Sequence, residues 1–156
     1  MFGWISGPGV GELTDLGEGR FTAEKYVEIL EEVLLPSVRA VLFPDRMPFS
    51  LVQDNSPIHS ARIVKLWFQD HPEISLLPHP PRSPDLNPIE HIWATMTKMR
   101  SENVTHRTRS SVIRSAHMAW EELRQPHGQE LAHSLVTSMP NRLNAVLAAG
   151  GGYTKY

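Results

Sequence analysis

Between residues 78 and 88 the chain reads PHPPRSPDLNP, with five prolines in eleven residues. Proline fixes φ and carries no backbone N–H, so this density excludes both a helix interior and a central strand. The segment must be an ordered loop or lid, and its flanks must be separate elements. Upstream, residues 49–53 (FSLVQ) read as a buried strand running straight into Asp54. Residues 60–68 read as a helix with Ile63, Val64, Trp67 and Phe68 on one side, and residues 73–77 as a second short strand. Downstream, Asn87 is a fair N-cap and Pro88 suits a first helical position. Ile89, Ile92, Trp93, Met96 and Met99 then form one apolar face.

The outer parts of the chain extend this pattern. Residues 2–5 and 10–16 suggest a hairpin around Ser6-Gly7-Pro8-Gly9, closed by Gly17 and Gly19. Thr22 is placed to cap a helix whose stripe is Tyr26, Ile29, Leu30, Val33 and Leu34, and Pro36 is expected to end or kink it. Val112, Ile113, Ala116, Ala119, Trp120 and Leu123 make a later stripe. Two shorter helices, 130–137 and 141–149, are expected on either side of Pro140, with Gly150 to Gly152 closing the second. Strands and helices alternating, followed by helices alone, point to an α/β layer fold.

Composition narrows the chemistry. The chain has 156 residues and no cysteine, which removes disulfides, thiolate metal sites and cysteine nucleophiles together. No run approaches the roughly 18 apolar residues of a membrane span, and the N-terminus lacks the pattern of a signal peptide. A nuclear or cytoplasmic location is the expectation. The net charge of −2 conceals an asymmetry: residues 1–90 hold 7 Lys+Arg against 13 Asp+Glu, and residues 91–156 hold 8 against 4. A basic C-terminal third, with Arg107, Arg109, Arg114 and Arg124, could face nucleic acid, or could be an ordinary solvated surface.

The residues that carry chemistry lie beside the proline-rich loop. Asp54 follows a strand end, where sites in open α/β sheets collect, although Asp-Asn-Ser-Pro is also good turn chemistry. Glu90 falls early in a helix, where it could ligate a cation or fold back onto Asn87 as half of a capping box. An Asp and a Glu without cysteine or clustered histidine favour a hard divalent ion such as magnesium or manganese. Two such carboxylates could not sit close together without a cation or a proton. His59, His79 and His91 flank the same segments but form no HExxH and are read as supporting or surface groups, and Asn55, His59, Asn87 and His91 are taken as the supporting set. No P-loop is present, and no Gly-x-Gly-x-x-Gly precedes a helix, which leaves no nucleotide cofactor to expect.

LVQDNSPIHSARIVKLWF followed by LLPHPPRSPDLNPIEHIW resembles the catalytic domain of Tc/mariner-type transposases, DDE recombinases with an RNase H-like fold. Met139-Pro140-Asn141-Arg142 and the closing Gly151-Gly152-Tyr153-Thr154-Lys155-Tyr156 are similar to the family's ending, as are Trp4 to Gly9 and Tyr26 to Pro36. The resemblance implies a carboxylate triad that holds two divalent cations, Mg2+ or Mn2+, and acts on DNA by strand cleavage and strand transfer. It matches Asp54 to the second triad member and Glu90 to the third. The 35 residues between them are one more than the family's commonest spacing.

The family's first Asp lies on a strand upstream of Trp4-Ile5, and Asp15, Asp45, Asp70 and Asp85 do not fit its place. The expectation is therefore a partial RNase H-like α/β fold without its first strand, a mixed sheet flanked by helices with a helical C-terminal third. Residues 1–100 would be a truncated core and 101–156 the C-terminal helices of the same domain, inactive or weakly active alone. An unpaired sheet edge would favour self-association. The alternative is a non-enzymatic nucleic-acid-binding or protein-interaction module repurposed from a transposase. A small metal-dependent hydrolase would explain the carboxylates but neither the proline loop nor the tail.

Overall fold

The computed structural model describes residues 1–44, 47–81, 83–101, 108–152 and 154. Arg107, Asp45 and the tail residues Tyr153, Lys155 and Tyr156 lie outside the described residues. The chain divides into two units. One comprises Met1–Phe2 and Leu16–Ser83, the other Gly3–Asp15 and Pro84–Tyr156.

In the first unit, α1 (Ala23–Ile29) begins where Thr22 was expected to start it, with Thr22 Oγ1 accepting from the Lys25 amide at 3.4 Å. Tyr26, Leu30 and Leu34 bury the stripe. The chain does not break at Pro36. Leu30–Leu34 winds as a π-helical turn, and α2 (Leu35–Val41) follows with Pro36 in its first turn. Proline cannot donate to the carbonyl four residues back. The wider turn absorbs this by letting the Leu35 amide reach Leu30 O, five residues away. Leu35 and Val38 then continue the buried face.

The remainder of this unit is a strand–helix–strand crossover. β3 (Phe49–Leu51) pairs in parallel with β4 (Ile74–Leu76) in the register Phe49↔Ile74, Ser50↔Ser75 and Leu51↔Leu76. A parallel pair needs a long connection, here supplied by α3 (Arg62–Asp70). α3 packs on α1 and buries Val64 and Trp67, and Trp67 Nε1 donates to Glu31 Oε2 at 3.0 Å. Both strands are shorter than their apolar runs, so Gln53 and Asp54 lie just past the end of β3.

In the second unit, β1 (Phe2–Ser6) and β2 (Gly9–Thr14) form the expected hairpin. A 3-10 turn at Pro84–Leu86 leads to α4 (Ile89–Ser101), then to α5 (Arg109–Leu123), α6 (Pro126–Thr137) and α7 (Met139–Ala148). α5 packs against α4, β2 and α6. A reciprocal Thr108–Ser111 capping box starts α5. Trp120, 1% exposed, is its anchor: the ring stacks on Trp93 at 5.3 Å, and Nε1 donates to Gly11 O at 2.8 Å. Truncating such a ring typically costs about 3–5 kcal/mol. Both later helices begin earlier than the apolar pattern suggested, because Pro126 and Pro140 occupy first-turn positions where the missing N–H is harmless. Pro140 opens α7 rather than separating two helices.

Two glycines give a stability test. A Cβ at Gly128 would collide with the Leu123 backbone, which cannot rotate away, whereas a Cβ at Gly7 would meet open space. Gly128→Ala is expected to destabilise the protein by about 3 kcal/mol or more. Gly7→Ala should stay within about 0.5 kcal/mol of the parent. Urea denaturation midpoints measure both.

Candidate functional site

The first unit holds Asp54, Asn55 and His59 together immediately beyond β3. The Asp54 side chain is 50% exposed. Its Oδ1 accepts from the Ser56 amide at 3.0 Å and lies 2.7 Å from His59 Nδ1. The turn chemistry read from Asp-Asn-Ser-Pro is therefore real, but it occupies one carboxylate oxygen. Oδ2 has no hydrogen-bond partner among the described residues. Asn55 Nδ2 donates to His79 O at 2.5 Å, tying the proline-rich segment to the Asp54 turn. His79 Nε2 is buried without a partner among the described residues.

Beneath this turn lies Tyr26, which the sequence showed only as one member of an apolar stripe. Its hydroxyl donates to Gln53 Oε1 at 2.6 Å, and its ring packs on the His59 ring at 4.3 Å. Gln53 Nε2 in turn donates to His59 O at 3.5 Å. Tyr26 thus supports both the residue before Asp54 and the imidazole that contacts it. The usable signal was a hydroxyl at a buried stripe position, since such a group needs a partner.

Burial pushes the Tyr26 phenol well above the ordinary tyrosine value near 10, and the negative charge of Asp54 adds to the shift. The folded state therefore retains this proton after the unfolded chain has lost it. The associated stability is complete below about pH 10 and is lost as pH rises through the folded value. We expect the decline in stability above pH 10 to be shallower in Tyr26→Phe than in the parent. The same variant should lose about 1 kcal/mol at pH 7 from the missing hydrogen bond. Chemical denaturation across the two pH ranges checks both.

The second unit holds Asn87, Glu90 and His91 together. Glu90 is the second residue of α4, and its amide donates to Asn87 O at 3.1 Å. The side chain is exposed. Its carboxylate has no hydrogen bond or ion pair among the described residues, so the capping box that competed with ligation is not formed. Burial, helped by the positive charge of Arg142, holds His91 below the ordinary histidine value and favours its neutral form. Arg142 itself is 3% exposed, with Nη1 donating to Asp85 O at 2.9 Å.

Of the four arginines expected to form a basic surface, Arg109 and Arg124 have carboxylate partners, and Arg107 lies outside the described residues. Arg109 pairs with Asp15 at 2.7 Å, and Arg124 with Glu12 at 3.1 Å and Glu121 at 3.5 Å. Arg114 is exposed on α5. Within neither unit do three or more His, Asp or Glu side chains among the described residues gather for a metal ion. Nor is any helix among them long and apolar enough to cross a membrane.

Comparison with known proteins shows the family and the fold. The family described as DDE superfamily endonuclease matches residues 11–113. The Transposable element Tc1 transposase of Caenorhabditis elegans is 36% identical over 108 residues, covering 69% of this chain and 37% of that protein. The chain spans less than half the length of the curated relatives it matches. Among solved structures, the crystal structure of the catalytic domain of Mos1 mariner transposase superposes with a TM-score of 0.81 at 23% identity. That match covers 98% of this chain and 74% of the other. A structure of the Mos1 catalytic domain and Raltegravir with Mn matches at a TM-score of 0.80 and 24% identity, covering 98% and 76%. The expected RNase H-like α/β fold is thus the one observed. The chain belongs to the DDE superfamily endonucleases, among the relatives of the Tc1/mariner transposases.

Proposed function

We propose that this chain supplies part of the catalytic domain of a transposase, acting on DNA by metal-dependent strand cleavage and strand transfer, with Asp54 and Glu90 as two of its three carboxylate ligands. One observation carries the reading. Each side chain sits at the end of an element, is open to solvent, and keeps carboxylate oxygens free of hydrogen bonds to the described residues. Such hard, anionic oxygen donors suit Mg2+ or Mn2+, in keeping with the Mn of the Mos1 structure. When bound, such a pair of ions supplies activation of the attacking oxygen and stabilisation of the leaving one.

The protein's own groups prepare these ligands. Ser56 and His59 fix Oδ1 of Asp54 and thereby aim Oδ2. Asn55 holds the proline-rich segment beside it. For Glu90, the Asn87 and Pro88 carbonyls anchor the first turn of α4. Asp15 pairs with Arg109 through Oδ2, and Asp85 Oδ2 accepts from Thr154 Oγ1 at 3.0 Å, so both carboxylates serve contacts within the second unit. With two of the three carboxylates assigned, weak or no activity of the 156 residues alone belongs to the same proposal. DNA is the partner of this reading and the nucleus its location. Self-association would use a strand edge of a two-stranded sheet. The non-enzymatic alternative has less support, because Asp15 and Glu12 already neutralise Arg109 and Arg124.

The test is Mn2+ titration followed by paramagnetic broadening of amide resonances. Asp54→Asn and Glu90→Gln are each expected to weaken binding by about tenfold or more. Equal binding by both variants and the parent would overturn the reading. Labelled DNA incubated with Mg2+ or Mn2+ gives the second arm. Metal-dependent nicking that disappears in Glu90→Gln supports an endonuclease. Salt-sensitive DNA binding that survives chelation and both substitutions supports the binding module instead.

A further inference from the structure

Arg142 is the one charged side chain fully buried among the described residues, at 3% exposure. Taking a guanidinium out of water costs several kcal/mol, and an apolar side chain of similar volume often stabilises as well or better. Burial alone therefore does not explain an arginine here. The distinguishing property of arginine is a rigid planar fork with several donors in fixed directions.

The fork joins two pieces of backbone. Nε donates to Ser138 Oγ at 2.8 Å, and Ser138 Oγ donates to Leu135 O at 2.7 Å, so one side is anchored at the α6–α7 junction. Nη1 donates to Asp85 O at 2.9 Å, in the middle of the Pro84–Leu86 turn. Thr154 holds the carboxylate of the same Asp85. From that turn a run of short bonds leads to Glu90: the Asn87 amide to Pro84 O at 3.0 Å, then the Glu90 amide to Asn87 O at 3.1 Å. Leu86, 3% exposed, roots the turn in the core.

We propose that Arg142 is a positioning residue for Glu90. It fixes the Asp85 carbonyl against α7 and so sets where α4 begins and where its second residue projects. The C-terminal helix is thereby a required part of the ligand site, not a surface addition. The proposal rests on Glu90 being a metal ligand only for its functional consequence. The placement of Glu90 can be measured separately.

The experiment uses the full 156-residue chain and compares the parent, Arg142→Lys, Ser138→Ala and Glu90→Gln. Lysine keeps the charge and loses the fork. Ser138→Ala leaves the arginine in place and removes its anchor, which covers the case in which Arg142→Lys does not fold. Amide exchange is read at Asn87, Glu90 and His91, with α5 as the internal reference, and Mn2+ affinity is read by paramagnetic broadening. Both positioning variants should exchange faster at those three amides, by about tenfold or more, with α5 unchanged. Both should also lose about tenfold in Mn2+ affinity, as expected for a group that orients a ligand. Unchanged exchange at the three amides overturns the proposal, as does a loss of protection spread evenly over α4 and α5. If Glu90→Gln leaves Mn2+ binding intact, the ligand reading of Glu90 falls, and the exchange data still decide whether Arg142 positions that residue.

Discussion

Proline has no N–H to give, so a loop built from prolines has fewer backbone donors than carbonyls and must find partners elsewhere. This constraint organises both units. In the first, His79 sits between two prolines, and its carbonyl is met by the Asn55 side chain. In the second, the carbonyl of Asp85, next to Pro84, is met by the buried Arg142. Each partner lies beside a candidate ligand or governs the turn that leads to one. Satisfying the loop and placing the carboxylates are thus accomplished by the same hydrogen bonds.

Asp54 shows how one side chain can serve structure and chemistry together. As a turn residue it accepts from the Ser56 amide, and His59 approaches the same oxygen. A carboxylate has roughly four lone-pair directions, so two contacts on one oxygen leave the other available. The turn does not compete with ligation; it fixes the direction in which the free oxygen points. Tyr26 underpins this arrangement, since it touches both Gln53 and the His59 ring from a fully buried position. At Glu90 the choice between cap and ligand resolves differently. The helix starts with backbone bonds from the loop, leaving the side chain unused.

Much of this was legible in the sequence because it depended on local signals. Thr22 started its helix, the parallel strands flanked α3, and the proline loop ended before α4, all by capping, periodicity and proline exclusion. The illegible parts depended on partners distant in the chain. Pro36 reads as an end or a kink, and a π-helical turn carries the chain past it because Leu35 and Val38 still have a core to enter. Pro140 reads as a break and instead sits in the first turn of α7. Arg142 gave no local sign of its role, and Tyr26 only that of a buried hydroxyl in need of a partner, since a stripe position does not say what a polar end meets. Arg142 bonds a carbonyl 57 residues away in sequence.

The charge asymmetry illustrates the same limit from the other side. Along the chain, the acidic first part and basic last part look like separate surfaces. In the second unit they are interleaved, because the hairpin that carries Glu12 and Asp15 belongs with the helices that carry Arg109 and Arg124. Each exposed pair contributes at most about 1 kcal/mol, so the pairing matters less for stability than for the field it cancels. An arginine with a carboxylate at 2.7 Å presents little net charge to a phosphate. Sequence charge counts measure the supply of cations; only the fold shows how many are already neutralised.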